Sequence, residues 1–68
     1  MKKKQYTFQE LKNIYNTYLN GNISDAKERV KKLTLNGRKS LYVQVGMKFT
    51  NEEWDFTSKD AIFFFNLI

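Results

Sequence analysis

The sequence predicts a single α+β domain over residues 1–68, in the order α-α-β-β-α, with a helical hairpin packed on a short antiparallel sheet. Three patterns carry that prediction. Residues 7–20 and 23–33 repeat apolar positions at helical spacing, residues 41–49 alternate with period two, and capping residues precede an apolar tail after Thr57. The tail is left as a helix over 58–68 or a third strand.

The first element starts at Thr7. Thr7 and Glu10 fit a capping box, and Tyr6 and Leu11 occupy the two positions of a hydrophobic staple. Phe8, Leu11, Ile14, Tyr15, Tyr18 and Leu19 then share one side of a helix, with Gly21 as its C-terminal stop. A second helix follows from Ser24 as N-cap, with Asp25 favourable to the helix dipole and Ile23, Ala26, Val30 and Leu33 as one buried stripe. A turn around Gly21 and Asn22 joins the two into a hairpin. Asn36-Gly37 reads as the exit from that second helix.

Leu41, Val43, Val45, Met47 and Phe49 alternate with Tyr42, Gln44, Gly46 and Lys48. Five apolar residues at period two predict a strand. Trp54 and Phe56 alternate with Asp55 and Thr57 in a short second strand after a polar turn. Thr57 and Asp60 form a second capping-box pattern, which favours the helical reading of the tail. Its main face would hold Ala61, Ile62, Phe64, Phe65 and Ile68, leaving Phe63 and Leu67 opposite.

A 68-residue chain buries only about 60 % of its unfolded surface and is marginal without reinforcement. The sequence contains no Cys for a disulfide and no His or Cys for zinc. Its aromatic content, 16 %, is the remaining source of a dense core and leaves rings over for an interface such as a homodimer. No apolar run approaches the ~20 residues that span a bilayer, so no membrane is expected and a cytoplasmic location is the default. Lys2, Lys3 and Lys4, within a tip at 1–5 expected to fray, are followed by polar residues rather than a signal-peptide core. The richness in Lys, Asn, Phe and Ile suits an AT-rich genome, such as that of a phage or mobile element.

Charge is divided unevenly. Residues 1–48 hold eleven of the 12 Lys and Arg against three acids, a balance of +8, whereas 49–68 hold one Lys against four acids, a balance of −3. Lys27, Lys31, Arg38 and Lys39 form a candidate nucleic-acid-binding set, because Asp25–Arg29 and Glu28–Lys32 pair at i, i+4 and leave them over. Glu52, Glu53 and Asp55 around Trp54, with Phe63 and Leu67, form a candidate partner-binding set, an acidic and aromatic patch suited to another protein. No metal site is assigned, since the acidic turn lacks calcium-loop spacing.

The segment W-D-F-T-S-K-D-A over 54–61 resembles the strand-to-helix corner of the arm-binding domains of phage integrases. That resemblance covers eight residues and implies a three-stranded sheet, where only two strands are supported here. It assigns no family.

Catalysis has no support in the sequence. Without His or Cys, the commonest general base and the thiolate nucleophile are both missing, and isolated Gly21, Gly37 and Gly46 make no phosphate loop. No cofactor is expected. The expected function is therefore a non-enzymatic protein-binding module, of the kind a phage uses to inhibit or redirect a host nucleic-acid-handling protein. Its partner would be a host protein or a second copy of itself. The alternative is a direct DNA- or RNA-binding accessory protein acting through the basic set.

Overall fold

The computed structural model describes residues 6–50 and 53–68. Four helices run through them: α1 (Phe8–Leu19), α2 (Ile23–Lys31), α3 (Leu35–Gly46) and α4 (Lys59–Phe65). No strand occurs among the described residues, so the expected α+β architecture with an antiparallel sheet is corrected to an all-helical one. Helix α1 packs on α2, α3 packs on α4, and α1 also meets α3.

Helix α1 forms as its sequence dictates. The Thr7 hydroxyl accepts from the Glu10 amide at 3.1 Å, and the Glu10 carboxylate accepts from the Thr7 amide in return. Its C-terminus closes with two backbone bonds, Asn22 N–H to Thr17 O and Gly21 N–H to Tyr18 O. That pairing is a Schellman motif, and Gly21 adopts the left-handed φ of 88° it requires. Helix α2 starts two residues earlier than expected, with Asn22 rather than Ser24 as N-cap. Ala26, Val30 and Leu33 are buried, while Ile23 stays exposed.

The element expected as a strand is α3. Even spacing made the misreading possible, because residues four apart satisfy a period of two as well as one helical turn. Gly37, Leu41 and Val45 stand at i, i+4, i+8 and are all buried, whereas Val43 lies nearly opposite Leu41 and is exposed. Thr34 caps the helix, its hydroxyl accepting from the Gly37 amide at 3.1 Å. Asn36-Gly37, expected to end α2, thus sits in the first turn of α3. β-Branched Val43 and Val45 are weak helix formers, so packing holds the helix where propensity does not.

The two helical glycines report close approach. A Cβ on Gly37 would stand 2.5 Å from a ring carbon of Tyr6, and one on Gly46 would stand 2.2 Å from the Phe56 ring. After α3 the chain reverses through a second Schellman pair, Phe49 N–H to Gln44 O and Lys48 N–H to Val45 O. Here Lys48 and Phe49 both take φ of 57° without glycine's freedom. Such a conformation costs roughly 1–2 kcal/mol per residue. Packing of the Phe49 ring against Phe8 and Tyr15, at 5.3 and 5.2 Å, offsets it.

The core gathers Leu11, Ile14, Val30, Leu33, Leu41, Val45, Ala61 and Phe64 from all four helices and the α2–α3 link. Ser58, one residue after the expected Thr57, caps α4 by accepting from the Ala61 amide at 3.2 Å. The helical alternative for the tail is the one observed, over a shorter span. Among the described residues no helix is long and apolar enough to cross a membrane.

Candidate protein-interaction face

The segment between α3 and α4 is tied to the end of α3 by one short bond, from the Asp55 amide to the Gly46 carbonyl at 2.7 Å. The Asp55 carboxylate turns inward on its own backbone, accepting from the Thr57 amide at 3.1 Å and the Thr57 hydroxyl at 2.8 Å. This Asx turn fixes the path of the following residues. Phe56 then packs its ring against Gly46, where any side chain would displace it.

A ladder of rings grows from that anchor. Trp54 meets Phe56 edge-on at 6.4 Å, Phe56 meets Tyr42 at 5.5 Å, and Tyr42 meets Phe65 at 5.3 Å. Its inner members, Phe56 and Tyr42, are half-buried, but Trp54 is 66 % exposed and Phe65 56 % exposed. Helical spacing adds Ile62 one turn before Phe65, and Leu35 and Val43 beside Tyr42, all exposed. The exposed apolar area of these five residues is on the order of 500 Å², near the top of the range for the largest patch on a soluble monomer.

The candidate partner-binding residues fall into two groups in the structure. Trp54 belongs to the face, with Glu53 exposed beside it and held by Lys48 at 3.3 Å. Asp55 is engaged in the Asx turn, and Glu52 lies outside the described residues. Phe63 and Leu67 pack against the core instead of standing apart from it, Phe63 meeting Tyr18 at 4.5 Å between ring centroids. The exposed pair on α4 is Ile62 and Phe65, the reverse of what the helical wheel alone suggested. Without a partner helix in view, the wheel could not say which flank of α4 would meet Tyr18.

The basic set is partly brought together. Arg38 lays its guanidinium across the C-terminus of α2, donating from Nε to Val30 O at 3.3 Å and from Nη2 to Lys31 O at 3.0 Å. That places Arg38 next to Lys31, with Lys27 one turn back along α2. Lys31 lies 3.8 Å from Glu28, replacing the expected Glu28–Lys32 pair, while Asp25–Arg29 forms at 3.2 Å. Lys39 is exposed on α3 and lies with Leu35 and Val43 rather than at that corner. Lys2, Lys3 and Lys4 lie outside the described residues.

Tyr15 and Tyr18 both donate to the Asp60 carboxylate, at 3.2 and 2.8 Å. Burial, then the neighbouring carboxylate, raises both phenols, Tyr18 to about 12. A phenol raised in this way stays protonated near neutral pH and supplies no phenolate, so this trio ties α1 to α4 rather than activating a group. Between α1 and α2, Tyr6, Glu10, Asn13, Asp25, Arg29 and Lys32 rim a cleft of about 420 Å³. Its charges are mixed, and the Asp25–Arg29 pair across its lip is already satisfied.

Compared with protein-family models, with curated proteins and with solved structures, the chain matches none.

Proposed function

We propose that this chain is a non-enzymatic protein-binding module whose contact surface is the aromatic face of α3 and α4. The observation that supports it most is the ring ladder from Trp54 through Phe56 and Tyr42 to Phe65, apolar, exposed at both ends, with Tyr42 and Phe65 on α3 and α4 and the other two rings in the segment that joins them. Trp and Tyr are enriched among residues that dominate binding energy, and here their positions are fixed before any partner arrives. Phe56 seated on Gly46 and the Asx turn at Asp55 hold the ladder in place, so little side-chain freedom remains to be lost on binding. The module would act by occupying a surface that its partner needs for something else.

A photo-reactive residue placed at position 54 tests this in the cell that makes the protein. Discrete protein adducts at 54, absent with the same residue at exposed Asn16 on α1, are the expected result. No adduct at 54, or equal adducts at both positions, would overturn it.

A second reading, direct nucleic-acid binding, draws on the convergence of Lys27, Lys31 and Arg38 at the α2–α3 corner. Against it, Arg38 spends two donors on α2 carbonyls, and Asp25 and Glu28 interrupt the basic surface. Fluorescence anisotropy of duplex DNA, single-stranded DNA and RNA at ~50 and ~200 mM salt separates the readings, since phosphate contacts weaken steeply with salt. Flat curves are expected.

A further inference from the structure

We infer that the occupant of the aromatic face is a second copy of this chain, packed two-fold and antiparallel along α3. The inference rests on the protein-binding reading and names its partner. Three properties of the face point to self-association.

The first is area. A standard interface removes about 800 Å² from each partner, and about 65 % of a homodimer interface is apolar. The roughly 500 Å² of apolar side chain exposed by Trp54, Phe65, Leu35, Ile62 and Val43 matches one half of such an interface.

The second is the position of charge along α3. Lys39 lies on the N-terminal side of the face, and Glu53, which Lys48 of the same chain holds at 3.3 Å and which still has carboxylate lone pairs to offer, follows the helix's C-terminal end, where the Asp55 amide bonds the Gly46 carbonyl. Positions 39 and 46 are equidistant from the midpoint between Tyr42 and Val43, about 5 Å away on either side at 1.5 Å per residue. A two-fold axis through that midpoint carries Lys39 of one copy to the level of the 53–55 segment of the other. The same operation brings the reciprocal pair together, as an isologous contact demands.

The third is what the axis would cross. Tyr42 and Val43 at its centre are uncharged, so the middle of the contact buries no ion. The net charge of +5 repels two copies at long range, but that repulsion is screened beyond ~8 Å at physiological salt. The Lys39–Glu53 pairs on either side of the axis act within that distance.

Sedimentation velocity of the purified full chain tests the inference. The wild type is expected to shift from monomer toward dimer between ~1 and ~100 µM, within the range that interfaces of this size reach. Trp54→Ala and Phe65→Ala should each weaken the dimer about tenfold or more while leaving the helical circular dichroism unchanged. Lys39→Glu and Glu53→Lys should each weaken it about tenfold by placing like charges together twice. Mixed one to one, these two variants should recover a heterodimer of wild-type strength, because both end contacts become opposite in sign again.

A monomer at every concentration to ~1 mM, a dimer indifferent to Trp54→Ala and Phe65→Ala, or a mixture that fails to recover would overturn the inference. Its failure is separable from that of the protein-binding reading. A monomeric protein that still forms a discrete adduct with a different protein at position 54 refutes the second copy alone.

Discussion

Replacing Gly46 with Ala tests the helix and the face together, because two opposing effects can be sized. In an ordinary helix the change is favourable by about 1 kcal/mol, as Ala exceeds Gly in helix propensity. In this structure the new Cβ would stand 2.2 Å from two carbons of the Phe56 ring, so the ring must leave. Phe56 is half-buried, and uncovering roughly 100 Å² of it loses about 2.5 kcal/mol. Its contacts with Tyr42 and Trp54 contribute about 0.5 kcal/mol or more each. The balance is a destabilisation of about 2.5 kcal/mol, read as a lower urea midpoint and a Tm lower by roughly 10–20 °C. In a Phe56→Ala background the clash is gone, and Gly46→Ala should then stabilise by about 1 kcal/mol. Circular dichroism through urea and heat on the four proteins of this cycle measures both signs. A neutral or stabilising Gly46→Ala in the wild-type background, as a solvent-facing strand position would give, refutes the packing of Phe56 on α3.

Other expectations follow from the same contacts. Asp60→Ala removes the acceptor shared by Tyr15 and Tyr18 and should cost about 2 kcal/mol in urea denaturation, since both hydrogen bonds reach a half-exposed carboxylate. Both phenols ionise above their usual 10 in the folded state. Their contribution is thus fully present below pH ~10 and is lost as pH rises toward the Tyr18 value of about 12, which tyrosinate absorbance followed beside circular dichroism will show. Arg38→Ala uncaps α2 and should cost about 1 kcal/mol, with Arg38→Lys intermediate because a lysine cannot span both carbonyls as a planar fork does.

The legible parts of the fold were those set by local chemistry. Thr7, Glu10 and Gly21 act within a few residues of themselves, so the capping box and the stop of α1 are written in sequence. The course of α3 was not, because Leu41 and Val45 fit both periods and only their burial against α4 and α1 decides between them. A lone Gly in an apolar run is the one signal that pointed elsewhere, and Gly46 does mark a close approach. At the site, Trp54 was identifiable as a surplus aromatic. Phe65 and Ile62 were not, because which flank of α4 is covered depends on Tyr18 and Phe63 meeting across the molecule. Arg38 read as a free cation because its carbonyl partners lie seven and eight residues back, beyond local pairing rules.

The chain has one Trp, at the exposed end of the ladder, so its fluorescence reports on the face alone. Emission of the wild-type protein should move to shorter wavelength, and iodide quenching should fall, as concentration rises from ~1 to ~100 µM. In Phe65→Ala the same change should be displaced about tenfold or more to higher concentration. An emission spectrum and quenching constant unaltered across that range would contradict an aromatic face that closes on a second copy.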